Sequence, residues 1–179
     1  STVWKKASRQ WRKLARWALA ALPESLRFGI YRRMMNVEPL SPGRLILKIA
    51  STQAELEACF ALLHDAYVGS GFMRPHPSGL RVTPYHALPT TTTLCAKLDG
   101  RVVGTLSIIR DGVFGFPMQT AFDISAIRSK PGHIAEVSAL AIHPSCRKTG
   151  GSILFPLMKF MHEYCTKYFD TRHLLIAVN

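Results

Sequence analysis

The segment of residues 136–152 contains the side chains of this chain that are best suited to chemistry. It joins a predicted strand to a predicted helix through a loop that carries Arg147, Lys148, Gly150 and Gly151. Glycine lets a backbone approach a ligand closely, and both the cations and the free N–H groups at a helix start favour an anion. The segment therefore predicts a cradle for a phosphate or pyrophosphate. It lacks the glycine spacing of a P-loop or a dinucleotide fingerprint, and taken alone it is equally compatible with an ordinary glycine-rich turn.

The elements around this loop predict an α/β or α+β domain. Residues 133–142 first alternate between polar and apolar side chains and then become continuously apolar, as in a central strand. Residues 150–169 have helical periodicity, and residues 173–178 form a further strand that this crossover helix links to the first. Upstream, residues 90–98 and 101–109 are rich in β-forming residues and are joined by Asp-Gly, the strongest short hairpin signal.

The compact domain is predicted to begin near Arg44, with a strand at residues 45–49 and a helix capped by Ser51 or Thr52. Residues 72–89 hold too many prolines and glycines for regular structure, and a loop of this length is typical of a functional segment. We therefore expect a loop that covers the substrate. The buried side of the helix is expected to consist of Leu56, Phe60, Leu63 and Tyr67.

The composition excludes several classes of protein. The 179 residues are 47% hydrophobic, which suits one domain with a core and excludes a wholly disordered chain. No apolar stretch reaches the roughly 18 residues that a membrane-spanning helix needs. The four cysteines are widely spaced, so neither a metal site nor a disulfide framework is indicated, and a reducing cytoplasm is the default compartment.

Basic charge is concentrated near the N-terminus. Residues 1–35 contain nine lysines and arginines and one glutamate, a net charge of +8 within a total of +12. Their apolar residues recur at helical spacing, which predicts a basic amphipathic helix closed by Pro23. Residues 1–43 are therefore interpreted as an arm and linker, and residues 44–179 as the domain. Three interpretations stay open for the arm: it packs on the domain, it anchors the protein to a membrane surface, or it docks an acidic partner. Nucleic acid is not expected, because no binding motif accompanies the charge.

The pattern Arg147-x-x-Gly150-x-Ser152 after an apolar strand resembles the acyl-CoA motif of the GNAT superfamily of N-acetyltransferases. The resemblance covers roughly residues 45–179 and implies the GNAT fold, a mixed and mostly antiparallel central sheet flanked by helices. In that fold the strand before the motif diverges from its neighbour, pantetheine pairs with the exposed backbone, and the loop binds the phosphates. By position, the resemblance assigns pantetheine to Leu140 and Ile142, and the phosphates to Arg147, Lys148, Thr149, Gly150, Gly151 and Ser152. It also implies a further helix and two strands after Asn179, so the domain is expected to lack the usual C-terminal elements.

Three further features resemble one branch of that superfamily, which contains acyl-homoserine-lactone synthases and long-chain N-acyl amino acid synthases. Both groups use acyl chains on acyl carrier protein. This chain has Ala139 and Ser107-Ile108 where the lactone synthases have arginine and arginine-leucine, which favours the N-acyl amino acid synthases. The features are Asp99-Gly100-Arg101-Val102-Val103-Gly104, Phe122-Asp123 and Glu136-Val137-Ser138.

Aminolysis of a thioester needs a neutral amine, a stabilised oxyanion and a route for the thiolate to leave. Glu136 is the candidate base, because burial among apolar neighbours raises a carboxyl pKa. The alternative is an ion pair with an arginine at the strand end. Backbone N–H groups near Ser138 to Leu140 are the expected oxyanion donors, and Ser138 is a candidate catalytic residue with Glu136. As a nucleophile, Ser138 has no histidine at a readable spacing, and direct transfer needs none. His143 is a less favoured base, since a histidine before a proline is typical of a turn.

Other residues have candidate roles in binding. Arg74 or Arg81 is a candidate for the amino acid carboxylate. Tyr164 and Tyr168 are expected to pack, which leaves the general acid unassigned. Several apolar side chains are suited either to a long acyl tunnel or to ordinary core: Phe72, Met73, Phe114, Phe116, Met118 and Phe122.

The resemblance therefore implies an N-acyltransferase that moves a long-chain fatty acyl group from acyl carrier protein to the α-amine of a tyrosine-like amino acid, and the cysteine usage indicates a cytoplasmic protein. The donor is acyl-phosphopantetheine on an acidic carrier protein, or acyl-CoA, and no permanently bound cofactor is expected. One alternative for the basic helix places the protein at the inner membrane surface. The alternatives for function are an acyl-CoA-dependent N-acetyltransferase, an acyl-homoserine-lactone synthase, and a non-catalytic module that binds carrier protein or membrane.

Overall fold

The computed structural model describes residues 43–147 and 149–177. The basic helix predicted for residues 1–35 and most of the linker after it lie outside the described residues. None of the helices within the described ranges is long and apolar enough to cross a bilayer. The elements are β1 (Leu45–Ile49), α1 (Gln53–Gly69), β2 (Thr91–Leu98), β3 (Arg101–Arg110), α2 (Ser125–Arg128), β4 (His133–Ile142), α3 (Leu154–Phe169) and β5 (Thr171–Ile176), with 3-10 turns at Pro84–Ala87, Pro117–Thr120 and Pro144–Cys146.

The five strands form one mixed sheet in the order β1-β2-β3-β4-β5. All neighbours are antiparallel except β4 and β5, which are parallel and joined by α3. The predicted hairpin is present, with Leu98 paired to Arg101. Asp99 and Gly100 have φ angles of 49° and 84°, as the tight turn of a twisted hairpin requires. The predicted order of elements is therefore confirmed.

Helices cover both faces of the sheet. On one face α3 buries Leu157 and Met161 against alternate residues of the three central strands. On the other face α1 packs against β2 and β4, while the segment between β3 and β4 covers the far end of the sheet. The most buried apolar residues of α1 are Cys59, Leu62 and Leu63. The predicted buried side is confirmed: Leu63 is fully buried, and Leu56, Phe60 and Tyr67 are half-buried and pack against the core clusters on this face.

The N-terminus of α1 is fixed by a carboxylate that binds two strands. The Thr52 hydroxyl accepts a hydrogen bond from the Glu55 N–H at 3.2 Å, which confirms Thr52 as the cap. The Glu55 carboxylate accepts hydrogen bonds from Lys48 of β1 at 2.9 Å and from Lys97 of β2 at 3.1 Å. It also accepts the backbone N–H of Ser51 at 3.2 Å. These contacts attach the start of the helix to the edge of the sheet.

Two boundaries differ from the sequence-based expectation. The last helix begins at Leu154 and not at residue 150, because Gly150 and Gly151 have φ angles of 64° and 86°, outside the helical region. The last strand spans Thr171–Ile176, two residues earlier than expected, because the helix ends directly at Asp170 in a left-handed conformation.

The proline-rich segment at residues 72–89 is held against the domain. The backbone N–H of Arg81 donates to the Phe60 carbonyl at 3.0 Å, and that of His76 donates to Nε2 of His64 at 3.1 Å. The expectation of no regular structure was wrong for Pro84–Ala87, which forms one turn of 3-10 helix. The segment is thus a packed loop with one ordered turn over the sheet.

Candidate active site

The parallel pairing with β5 covers the first half of β4. It runs from His133 to Val137, and its last pair joins Val137 to Ile176. β4 continues to Ile142 beside β3. Within residues 43–147 and 149–177, no strand pairs with residues 138–142 on the β5 side. Among the described residues, the second half of β4 thus has an open edge on this side, which we call the slot; the resemblance to GNAT enzymes assigns the pantetheine arm to the same residues.

A bulge in β4 marks the start of this slot. Ser138 pairs with Ser107 of β3 and Ala141 pairs with Thr105, so β4 has one residue more than β3 between these pairs. Ala139 lies in the bulge with a φ of 52°, a conformation that glycine adopts more easily. A bulge bends a strand and changes the direction of its side chains and backbone groups.

Beyond the bulge, backbone groups of β4 point into the slot. The N–H of His143 donates to the Val103 carbonyl of β3 at 2.8 Å. Because successive N–H groups of a strand point to opposite sides, those of Ile142 and Leu140 point away from β3. The Leu140 side chain is 42% exposed. The two predicted pantetheine residues thus have backbone groups aimed at the open edge.

Glu136 lies two residues before Ser138 on β4, so the two side chains are on the same face of the sheet. Its residue surface is 3% exposed, and its carboxylate accepts the backbone N–H of Met118 at 3.0 Å. Burial raises the pKa of Glu136, and the hydrogen bond from Met118 opposes that rise. Among the described residues, the Glu136 carboxylate thus binds a backbone N–H group. It does not form the ion pair with an arginine that was the alternative interpretation of this residue.

A row of hydroxyls crosses the three central strands next to Glu136, and the sequence analysis missed it. Thr93, Ser107 and Ser138 are aligned on β2, β3 and β4. The hydroxyls of Thr93 and Ser107 are 3.3 Å apart, and Nε2 of His86 lies 3.3 Å from the Ser107 hydroxyl. His86 comes from the 3-10 turn at Pro84–Ala87, and its only signal in the sequence was its place in the proline-rich loop. We call Thr93, Ser107 and Ser138 the hydroxyl row.

The loop after β4 is shaped by its own hydroxyls. Thr149 donates to the Cys146 carbonyl, and Ser152 donates to the Thr149 hydroxyl, both at 2.7 Å. Arg147 donates Nε–H to the Ile142 carbonyl at 2.8 Å, which leaves the other guanidinium nitrogens for a ligand. The Thr149 and Ser152 side chains therefore organise the loop. Lys148, another predicted phosphate residue, lies outside the described residues.

The two glycines of this loop differ in their surroundings. A Cβ atom at Gly150 would meet nothing within 4 Å, whereas one at Gly151 would lie 2.3 Å from the Phe155 ring. Gly151 is therefore needed both for its positive φ and for the close approach of Phe155. Gly150 faces open space, which is compatible with a ligand next to its backbone.

The remaining candidates are spread over the domain. Nδ1 of His143 accepts the N–H of Ser145 and caps a short turn. Arg81 stacks on the Tyr67 ring at 3.8 Å, and the Tyr164 hydroxyl lies 3.2 Å from that of Thr92. Phe116 is buried in the core, while Phe72, Phe114 and Phe122 are exposed. The apolar side chains considered for an acyl tunnel therefore do not form one continuous wall.

Comparison with known proteins identifies the family. The model of the family "N-acyl amino acid synthase FeeM" matches residues 58–179. The chain belongs to the FeeM family. Comparison with curated protein sequences gives no significant match.

Solved structures show the fold of this FeeM family member. FeeM from uncultured soil microbes superposes with a TM-score of 0.63 at 21% identity, over 76% of this chain and 72% of that one. A predicted acetyltransferase from Clostridium acetobutylicum, solved with acetyl-CoA, has a TM-score of 0.53 at 12% identity, over 75% of this chain and 81% of that one. The acyl-homoserine-lactone synthase LasI has a TM-score of 0.53 at 19% identity, over 69% and 66%. The domain has the GNAT acyltransferase fold, and the protein is an N-acyltransferase.

Proposed function

We propose that this FeeM family member transfers a long-chain fatty acyl group from acyl carrier protein to the α-amine of an amino acid. The observation that carries the proposal is the bulge of β4 at Ala139, three residues after the buried Glu136 on the same strand. The slot offers backbone groups to a pantetheine arm, and the loop of residues 147–152 lies at its end, where a phosphate would follow the arm.

The reaction requires one bond to form and one to break. The amine nitrogen attacks the thioester carbonyl carbon, a C–N bond forms, and the C–S bond breaks. Glu136 takes the proton that the amine loses, and its raised pKa suits it to hold that proton. The backbone N–H groups at the bulge, where Ala139 has a positive φ, bind the oxyanion in this proposal. The thiolate leaves as part of the pantetheine arm and takes up a proton from water.

Charge favours a carrier protein as the donor. Acyl carrier proteins are acidic, and the sequence has a net charge of +12. Opposite net charges raise the association rate of two proteins. Acyl-CoA carries the same pantetheine arm and phosphate, so the slot and loop alone accept both donors.

Mass spectrometry of lipid extracts from cells that express the protein tests the proposal. Wild type is expected to accumulate long-chain N-acyl amino acids, and Glu136→Gln to reduce them about 100-fold or more, as expected for loss of a general base. The matched control is Glu163→Gln, because Glu163 is a surface residue of α3 that pairs only with nearby lysines among the described residues. The product masses identify the amino acid and the chain length.

Purified protein then distinguishes the donors. We compare kcat/KM for two donors at equal concentrations, acyl carrier protein and CoA. Both donors carry the acyl chain found in the extracts. A higher value with carrier protein supports the proposal. Turnover of acetyl-CoA without any long-chain product would replace it with the acetyltransferase alternative. The same loss of product in Glu163→Gln as in Glu136→Gln would remove the base assignment.

A further inference from the structure

The hydroxyl row lies on a sheet face that mixes buried polar side chains, such as Thr105 and Glu136, with apolar core residues. Ser107 is fully buried, and Thr93 is nearly so. Their neighbours along the strands on this face include Cys95 and Ile109, which belong to the core. A buried hydroxyl needs hydrogen-bond partners, since an unpaired one costs about 1–3 kcal/mol. Ser107 obtains partners on two sides, from Thr93 and from His86.

The tautomer of His86 follows from its contacts. Nδ1 accepts the backbone N–H of Thr83 at 3.0 Å, so it carries no proton. The proton of the neutral ring therefore lies on Nε2, which donates it to the Ser107 hydroxyl. Burial, and secondarily the charge of Arg81, lower the pKa of His86 and favour this neutral form.

The ring of His86 is also held in place. Its edge packs against the Phe60 ring, with 4.8 Å between the centroids. Its backbone lies in the 3-10 turn, whose start is fixed by Pro84. The donor at Nε2 therefore has a defined direction, as a group that orients another residue must have.

The row leads from His86 to the slot. Ser138 faces Ser107 directly across the β3–β4 ladder, so their Cβ atoms lie about 5 Å apart. Glu136 is two residues before Ser138 on the same face, about 7 Å along the strand. An amine bound between Glu136 and Ser138 can donate one N–H to each of them.

We propose that His86 is a positioning residue of the acyl transfer: it holds the Ser107 hydroxyl, and Ser107 in turn orients the Ser138 hydroxyl toward the acceptor amine. Ser138 accepts one N–H of the amine, and Glu136 takes the proton that leaves. The inference rests on the proposed function, since it concerns the acceptor side of the same site.

Three substitutions test this role through steady-state kinetics with the acceptor varied. His86→Phe keeps a ring but loses the donor, and we expect kcat/KM for the acceptor to fall about 10- to 100-fold, the range of outer hydrogen-bond partners. His86→Gln places an N–H near the position of Nε2 and is expected to recover most of that loss. Ser107→Ala is expected to match His86→Phe, and the double variant to lose no more than either. His162→Phe, on the exposed side of α3, is the control.

Nitrogen NMR of the His86 ring gives a readout that does not require turnover. The free protein is expected to show the Nε2–H tautomer. Addition of L-tyrosine together with a non-hydrolysable palmitoyl thioether of pantetheine is expected to shift the Nε2 resonance in wild type but not in Ser107→Ala. That shift supports the inference even if no product is formed, whereas absence of product with every donor tells against the proposed function instead.

Other results would overturn the inference. They are an unchanged Nε2 resonance with both probes present, a kcat/KM of His86→Phe within twofold of wild type, and equal losses in His86→Gln and His86→Phe. The last result would mean that the ring supports the fold and that its N–H has no part in positioning.

Discussion

The burial of Glu136 costs folding free energy. A carboxylate buried to 3% exposure loses most of its hydration, and the single N–H from Met118 replaces only part of it. Its raised pKa means that the folded protein holds this proton more tightly than the unfolded chain does. The contribution of Glu136 to stability therefore falls as the pH rises from the unfolded pKa through the folded one. A carboxyl kept at such a cost is typical of a functional group.

The left-handed residue of the bulge predicts different effects for two alanines of β4. Ala139 and Ala141 are both buried, but only Ala139 has a positive φ. Ala139→Gly loses a methyl group, about 0.8 kcal/mol, and gains backbone freedom when unfolded, about 0.7 kcal/mol, but it relieves the folded backbone by about 1 kcal/mol. Its unfolding free energy should therefore stay within about 0.5 kcal/mol of wild type. Ala141→Gly loses the same methyl and gains backbone freedom when unfolded, and it should be about 1.5 kcal/mol less stable.

Urea unfolding at equilibrium measures both variants. Each serves as the control of the other, because the two residues lie on one strand and pack against the same helix. Equal losses in the two variants would mean that the bulge does not strain Ala139.

At the scale of elements, the carboxylate at the start of α1 predicts acid sensitivity. The hydrogen bonds from Lys48, Ser51 and Lys97 lower the pKa of Glu55 to about 2. The unfolded value is about 4.3. The stability that Glu55 contributes is therefore fully present above about pH 5 and is lost as the pH falls toward 2. Glu55→Gln should be less stable than wild type at pH 7, and its unfolding free energy should fall less steeply between pH 5 and pH 2.

The pH dependence of the urea midpoint checks this expectation. Glu57→Gln is the matched control, because Glu57 lies on the exposed side of the same helix and its carboxylate binds the neutral side chain of Gln53. Parallel curves for wild type and Glu55→Gln below pH 5 would show that the ion pairs with the two lysines contribute nothing.

The elements that the sequence predicted well are those whose signal is local. The Asp99-Gly100 turn, the cap at Thr52 and the periodicity of the strands depend on neighbouring residues, and each appears in the structure. The start of α3 was wrong because two glycines in left-handed conformation are compatible with either a helix start or a loop. The hydroxyl row depends on the register of three strands, and His86 reaches it from a loop 21 residues away from Ser107. No spacing rule connects such residues, so this part of the site was visible only in three dimensions.

At the scale of the whole molecule, basic charge is the dominant feature of the composition. The sequence has 23 lysines and arginines against 11 acidic residues. Several basic side chains of the domain are already paired with acidic ones, such as Arg44 with Asp99 and Arg128 with Asp111. The remaining excess creates a positive field that attracts an acidic partner before any contact forms.

This field predicts how turnover depends on salt. Interactions between exposed charges are screened beyond about 10 Å at 0.1 M ionic strength, and the association of oppositely charged proteins slows accordingly. With acyl carrier protein as donor, kcat/KM should fall about tenfold between about 50 mM and about 500 mM sodium chloride. With acyl-pantetheine, which has no phosphate and no protein, kcat/KM should change less than about twofold, and acyl-CoA should lie between the two.

Stopped assays with one acyl chain on all three donors measure how kcat/KM of each donor depends on salt. An equally steep fall with acyl-pantetheine would place the effect of salt on the enzyme itself, and a flat profile with carrier protein would mean that the positive charge serves a different partner.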